Sequence, residues 1–314
     1  MRALPVLVAL VASTAFGQML FDQGPPKHRL VHRNTFAARY NALGLFYDGR
    51  FMYRLRLFES ESTLLRDNFI GVGLNPMLSP AFGRIGPYVE FQPLSALGFW
   101  ASYLLSQYVG TFSLGQSFPS ARSEYSDARI SELARLPAGD PGRNYLAGGT
   151  ELHVGMDFQV KFDQYLLRTR TRFIYSSYAL RAGDTVLYDQ TYDITMPNQG
   201  WTAANDLDLL WQSLNLKIIA GLRYSLATAF YDARHFQPGE EQVNDNFNHR
   251  LGPFLAYTFK IKDGATWNSP TVFLLIQWYA KHRYRSGQVT SAALPMIGAG
   301  FQISGDFLDI KKKQ

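Results

Sequence analysis

The stretch from Glu151 to Phe162 reads ELHVGMDFQVKF, and its polarity alternates at every step. Each even-numbered position is apolar, and each odd-numbered position is polar, charged or glycine. A period of two is typical of a β-strand whose two faces meet different surroundings. The run is also long for a strand of an ordinary soluble domain. The stretch therefore predicts one long strand with an apolar face and a polar face.

A second strand of the same kind follows directly after Asp163 and Gln164. Residues 165–175 read YLLRTRTRFIY, which places three arginines on one face and aromatic and aliphatic side chains on the other. About 9–11 tilted residues suffice to cross a bilayer when the apolar face meets lipid. The two strands therefore favour a hairpin that spans a membrane. A long hairpin of a soluble sandwich is the alternative.

A two-residue turn at 163–164 would fix the register of this hairpin. Phe162 would then lie opposite Tyr165, and Arg172 would have no acid directly opposite, which leaves its guanidinium free to meet a solute. The predicted cross-strand pairs are Gln159 with Arg168, Asp157 with Arg170, and Gly155 with Arg172.

Composition narrows the class of protein further. The chain has 314 residues and no cysteine, so disulfides and cysteine-ligated metals are excluded. Its aromatic content of 15% is typical of a β-rich membrane protein. The net charge is +6, but Lys and Arg are spread singly along predicted strands, and the basic run is confined to Lys311–Lys313. No nucleic-acid partner is therefore expected.

The N-terminus has the pattern of a secretory signal peptide. Arg2 precedes an apolar segment too short to span a membrane, and residues 15–17 form a small-residue cleavage site. We therefore predict a signal peptide at 1–17, an extended periplasmic lead-in at 18–28, a transmembrane barrel at 29–308 and a polar basic tail at 309–314.

The alternation recurs along the rest of the chain and predicts an all-β fold. The expected architecture is a single closed antiparallel transmembrane β-barrel of about 12 strands, with 10 as the alternative. Short turns near 94, 163, 214 and 265 alternate with longer loops near 128, 192 and 240. The apolar faces next to the short turns carry aromatic residues that we expect to form a girdle at one membrane interface: Phe162, Tyr165, Trp211 and Phe259.

In these patterns the chain resembles the single-chain outer-membrane β-barrel proteins of Gram-negative bacteria. The resemblance covers nearly the whole mature chain but is architectural, and no subfamily signature accompanies it. It implies an outer-membrane location, contact with outer-membrane lipid and insertion by the barrel-assembly machinery. The family usually ends its last strand with a C-terminal aromatic residue, whereas Phe307 here is followed by a polar basic tail.

The familiar catalytic and nucleotide-binding motifs are absent from the sequence, and no cofactor or metal is expected. His153 is a weak candidate for an outer-membrane hydrolase, because alternation points it into the lumen rather than toward lipid. Asp206 and Asp208 could form a carboxylate pair or a calcium site, but two acids at i and i+2 on a strand more often face water. An enzyme is therefore disfavoured.

The basic positions give the strongest chemical signal. From Glu151 to Arg283, the predicted inward positions carry ten basic and four acidic residues, which predicts a net positive lumen and a preference for anions. The alternative is a closed lumen whose basic residues pair with acids. The candidate lumen-lining residues are Arg168, Arg170, Arg172, Asp157, His153, Arg223, Lys217, Arg250, Asp206, Asp208, Arg54 and Arg56.

The favoured function is a channel or transporter for small polar solutes, with anions as one candidate class. The second hypothesis is a closed structural or adhesive barrel whose outer loops bind a partner. It is motivated by the long segment 111–145, in which Phe112, Phe118 and Tyr125 stand among Ser and Gly. If this segment folds inward as a plug, transport is favoured. If it stands out as an ordered surface, binding is favoured.

Overall fold

The computed structural model describes residues 25–261 and 265–308. The predicted signal peptide (1–17) and basic tail (309–314) lie outside the described residues, as does most of the predicted lead-in (18–28). The structure contains seventeen strands, one helix and one 3-10 turn within that range. Their bounds are β1 (His28–Tyr40), β2 (Gly44–Arg56), β3 (Phe69–Leu74), β4 (Met77–Ser79), β5 (Phe82–Ile85), β6 (Pro87–Leu94), β7 (Leu97–Tyr108), β8 (Ser117–Phe118), α1 (Asp127–Ala134), β9 (Ala147–Phe162), β10 (Tyr165–Tyr178), β11 (Val186–Asp189), β12 (Ile194–Pro197), β13 (Gly200–Gln212), β14 (Ile218–Phe230), the 3-10 turn Ala233–His235, β15 (Phe247–Thr258), β16 (Asn268–His282) and β17 (Met296–Asp306).

One antiparallel sheet closes on itself to form a barrel. Each wall strand pairs with its neighbours in the chain, and β1 pairs with both β2 and β17, which completes the ring. The strands β3 and β4 together form one wall strand, and β5 and β6 form the next. Counted this way, the wall has twelve strands, and the prediction of a closed barrel of about 12 strands is confirmed.

The register predicted for the hairpin of β9 and β10 is also confirmed. Asp157 lies opposite Arg170, and Gly155 lies opposite Arg172. Asp163 adopts a positive φ of 53°, a conformation that Asp tolerates better than most residues. The turn therefore reverses the chain in two residues, although Asp-Gln is a poor type I′ sequence.

The connections differ in length at the two ends of the barrel. The short-turn end, as we call it, carries the connections 95–96, 163–164, 213–217 and 259–267, together with one longer loop at 57–68. The long-loop end carries 109–146, 179–199, 231–246 and 283–295, together with two short turns at 41–43 and 80–81. This agrees with the predicted alternation of short turns and long loops.

The outer surface of the barrel is apolar over much of its height. Val72, Val89, Val154, Leu222 and Leu255 are exposed on it. At the short-turn end, four aromatic side chains are exposed on the same surface: Phe162, Tyr165, Trp211 and Phe259. A continuous apolar exterior with aromatic residues at its edge is typical of barrels surrounded by lipid.

Within residues 25–261 and 265–308, no helix is long and apolar enough to cross a membrane.

The largest cluster of buried apolar side chains lies at the long-loop end, where loop residues meet the inner wall. Tyr108 of β7 and Tyr178 of β10 contribute from the wall, and Phe118, Tyr125 and Leu187 contribute from the loops. The loops at this end are therefore packed into the barrel mouth rather than free above it.

Candidate solute path and its plug

A cavity of about 260 Å³ lies inside the barrel. Its lining extends from Ser95 and Gly305 at the short-turn end to the level of Phe46 and Arg172. Three carboxylates line it: Asp48, Glu90 and Asp157. Asp206 and Asp208 are not part of the lining, but they form ion pairs with lining arginines. The arginines that line it number eight: Arg29, Arg33, Arg50, Arg54, Arg168, Arg170, Arg172 and Arg223.

Asp208 is paired with two arginines at once. Its carboxylate is fully buried. It accepts one hydrogen bond at 2.5 Å from Arg168 and another at 2.6 Å from Arg223. The β10–β13 and β13–β14 pairings place these three residues directly side by side. The expectation that Asp208 faces water is therefore wrong, because the two arginines enclose it.

Asp206, two residues earlier on the same face, is held more loosely. Its distance to Arg170 is 3.6 Å, both side chains are 37% exposed, and Ser225 donates a hydrogen bond to Asp206 at 2.6 Å. Arg170 therefore pairs with Asp206 across the β10–β13 edge, although Asp157 is its direct neighbour across the hairpin. Among the described residues no group of acidic and histidine side chains could hold a metal ion.

Arg172 is not free, contrary to the expectation from its glycine neighbour. The indole of Trp100 lies over Gly155, so that a Cβ on Gly155 would stand 2.2 Å from the ring. The Arg172 guanidinium lies 5.4 Å from the centre of that ring and donates a hydrogen bond at 2.7 Å to the Tyr192 hydroxyl. Alternation could not reveal either contact, because Trp100 and Tyr192 come from other parts of the chain.

The remaining basic candidates lie in different places. Arg54 lines the cavity and pairs with Glu90 at 3.0 Å. Arg56 lies at the short-turn end, where it donates to the carbonyl of Pro25. Arg250 is on β15 and stacks on Tyr279 outside the cavity lining.

Four of the ten predicted inward basic positions do not belong to the lumen wall. A β-bulge at His249 and Arg250 shifts the pairing of β15 with β16 and turns Lys281 to the outer surface, above the ring of Phe247. Arg283 follows β16 and binds loop carbonyls. Lys217 and Lys260 lie in turns at the short-turn end.

Three cavity arginines were absent from the sequence-based candidates: Arg29, Arg33 and Arg50. The first two lie in β1, where alternation is weak, since the adjacent His32 and Asn34 are polar and buried on the other face. Arg50 shares its parity with Arg54 on β2, so the period-two rule does contain the signal for it.

A hairpin from the loop 179–199 lies next to the cavity at the level of Arg172. We call residues 186–197, which comprise β11 and β12, the plug hairpin. Its tip reaches into the lumen: Tyr192 meets Arg172, and Asp189 accepts hydrogen bonds from Arg84 at 2.7 Å and from Tyr108 at 2.8 Å. On the opposite side, Arg39 donates to the backbone carbonyl of Thr191.

A second ionic cluster holds the other side of the plug hairpin. Asp193 contacts Arg285 at 2.5 Å and His282 at 3.3 Å, and Arg285 also pairs with Asp127 at 2.7 Å. Burial alone would raise the pKa of Asp193, but the neighbouring His282 and the Arg285 guanidinium hold that pKa well below its ordinary value. Asp193 is therefore ionised and keeps the hairpin docked.

The long segment 111–145 covers the plug hairpin. Within this segment Phe118 and Tyr125 are buried, and Phe112 is the one of the three predicted aromatic residues that is exposed. Arg283 donates hydrogen bonds to the carbonyls of Ala121 and Ser123 in the same segment. The strand β8 adds to β11, so that this segment and the plug hairpin form a three-stranded sheet. The aromatic residues that motivated a binding surface are thus mostly buried.

His153 lies in the lumen wall and is buried. Its Nε2 lies 2.7 Å from a carboxylate oxygen of Glu151. Ser102 stands directly opposite on β7, but its hydroxyl donates to the carbonyl of Pro87 at 3.0 Å. His153 is therefore part of the polar network that also joins Glu151 to Arg84 at 3.0 Å.

Comparison with known proteins finds likeness only in structure. No protein-family model matches the sequence. A search of the curated proteins finds no match either. Among solved structures, the KdgM porin aligns with 87% of this chain and 98% of its own at 9% identity and a TM-score of 0.38. The NanC porin aligns with 87% and 98% at 8% identity and 0.36. The Pseudomonas putida toluene transporter TodX aligns with 95% and 91% at 11% identity and 0.33. Values this low carry no argument about what the chain binds.

Proposed function

We propose that the chain is an outer-membrane channel for small anionic solutes and that the plug hairpin closes it in the conformation described here. One observation carries the proposal, namely the cavity inside the barrel with eight arginines and three carboxylates in its lining. A cleft lined by charges of one sign and enclosed by a low-dielectric wall concentrates ions of the opposite sign. Rings of arginine are a known route to anion preference.

The location follows from the exterior of the barrel. An apolar wall with aromatic side chains at one edge requires lipid around it, and closed barrels of this kind occur in the outer membranes of Gram-negative bacteria. We therefore infer contact with outer-membrane lipid and assembly by the machinery that inserts such barrels.

Removal of the plug hairpin tests the proposal. The backbone N–H of Asn198 donates to the backbone carbonyl of Thr185 at 2.9 Å, so the two ends of the hairpin are adjacent. Replacing residues 186–197 with two glycines therefore closes the chain without strain on the wall. In planar bilayers the variant should conduct, whereas the full chain should remain near background.

A control deletion removes an exposed loop tip that does not enter the lumen. Gln288 and Val289 are exposed in the loop 283–295, and deleting them should leave the current at the level of the full chain. Background conductance from folded barrels that lack the plug hairpin, both alone and together with residues 115–138 of the segment that covers it, would show that the lumen is not a solute path.

A further inference from the structure

Arg33 and Arg50 face each other across β1 and β2 as direct cross-strand partners, and both line the cavity. Like charges at such positions destabilise a sheet, and proteins usually separate or neutralise them. Here the pair lies on the inner face of the barrel, where the low-dielectric wall leaves the repulsion less screened than it would be in bulk water. The repulsion between the two guanidinium groups therefore destabilises the fold unless a negative charge lies between or beside them.

In the described part of the chain, no carboxylate contacts this pair directly, although Asp48, Glu90 and Asp157 act on it across the cavity. Within residues 25–261 and 265–308, Arg33 has no hydrogen bond or ion pair. Arg50 is 7% exposed and donates to the Tyr88 hydroxyl at 2.7 Å, but its Nε has no partner. A buried guanidinium N–H without an acceptor is costly unless a ligand supplies the acceptor.

A third guanidinium lies nearby. Arg50 is 5.1 Å and Arg172 is 5.4 Å from the centre of the Trp100 ring, so their guanidinium carbons are at most about 10.5 Å apart. Arg172 makes its hydrogen bond to a neutral phenol oxygen of the plug hairpin, not to a carboxylate. An oxyanion between these groups could replace that phenol as acceptor.

Three acids also face this part of the cavity, and none neutralises the trio directly. Asp48 accepts a hydrogen bond from Asn75 at 2.8 Å, and Glu90 pairs with Arg54. Asp157 also lines the cavity. Among the described residues, no carboxylate lies at ion-pairing distance from Arg33, Arg50 or Arg172.

We propose that Arg33, Arg50 and Arg172 form a binding site for a tetrahedral oxyanion of the phosphate class. The inference rests on the proposed function, since it names the solute class that the cavity selects. A tetrahedral dianion offers acceptors in several planes and so meets guanidinium groups that approach from different strands. A carboxylate is planar and is satisfied by one bidentate arginine.

Binding is measured without transport, on the full chain in detergent, as the rise in thermal midpoint with inorganic phosphate. Succinate and chloride serve as comparison anions at equal ionic strength, which removes the effect of screening. Phosphate should raise the midpoint in a saturable way. Succinate should act at least about tenfold more weakly, and chloride should have no saturable effect.

The decisive variant is Arg33→Gln, because Arg33 makes no hydrogen bond or ion pair with the described residues that the substitution would remove, and the barrel should fold. We expect its apparent affinity for phosphate to fall about tenfold or more, while its midpoint without phosphate stays equal or rises, since the like-charge pair is gone. The matched control is Arg54→Gln, which removes a cavity charge already paired with Glu90 and should keep the phosphate effect.

Three results would overturn the site: equal stabilisation by succinate and phosphate, no phosphate effect beyond that of chloride, or an unchanged effect in Arg33→Gln. Each leaves the channel proposal standing, because that proposal is tested by current through the plug-free barrel. Conversely, a barrel that never conducts but binds phosphate through Arg33 would refute the channel and keep the site.

Discussion

Asp208 and Asp206 offer a matched pair of substitutions on one face of one strand. Asp208→Asn removes the negative charge that Arg168 and Arg223 share at 2.5 and 2.6 Å, and all three groups are buried. Breaking a buried ion pair by neutralising one partner costs about 3–5 kcal/mol, since the remaining charge stays desolvated. Here two arginines would be left, so we expect a loss of stability in that range.

Asp206→Asn makes the same chemical change two residues away and serves as the control. The Asp206–Arg170 distance is 3.6 Å, and both side chains are 37% exposed. Solvent-exposed pairs contribute about 0.2–1 kcal/mol, and the amide oxygen of Asn can still accept the hydrogen bond from Ser225. The expected loss is therefore below about 1 kcal/mol.

Urea titration of the refolded barrels in lipid, followed by tryptophan fluorescence, gives the two free energies of unfolding. The Asp208 variant should be the less stable by at least about 2 kcal/mol, the gap between the two ranges. Equal losses in the two variants would refute the reasoning, because the enclosure of Asp208 by two arginines would then have no energetic consequence.

Three further outcomes are expected. Val154→Arg should lower the free energy of unfolding by about 2–4 kcal/mol because it places a charge on the lipid face, whereas Asp157→Arg on the inner face should lower it less. The reverse order in urea titration would mean that the inner and outer faces are exchanged. Gly155→Ala should lower the free energy of unfolding by about 1–3 kcal/mol and alter the near-ultraviolet circular dichroism spectrum, because a Cβ would stand 2.2 Å from the Trp100 ring. An unchanged spectrum and an unchanged stability would contradict that packing. Acidification from pH 7 to about 5 should leave the plug closed. The stabilisation from Asp193 is present above its unfolded pKa of about 3.9 and is lost only as pH falls through its depressed folded pKa. A bilayer current that appears at pH 5 would show that the ion pairs of Asp193 do not hold the hairpin.

The wall of the barrel could be predicted because it depends on local signals. Alternation identifies the face of each side chain, and a two-residue turn at 163–164 fixes the register of β9 with β10. The same rule fails where a bulge intervenes, as at Lys281, since one extra residue reverses every following face.

The contents of the lumen could not be predicted in the same way. The ion pairs of Asp208 depend on the register of β10 with β13, which are joined by a loop of twenty-one residues, 179–199, that fixes no register. The plug hairpin is held by contacts between residues far apart in sequence, such as Arg84 with Asp189. Local patterns contain no signal for such contacts.

The ionic preference of the open barrel tests the central claim most directly. The variant with residues 186–197 replaced by two glycines is placed in a planar bilayer under a potassium chloride gradient, and the reversal potential is measured. It should lie near the chloride equilibrium potential and move toward zero when Arg168, Arg170 and Arg172 are replaced by alanine. A reversal potential near that of potassium, or an anion preference unchanged by the triple substitution, would contradict the account.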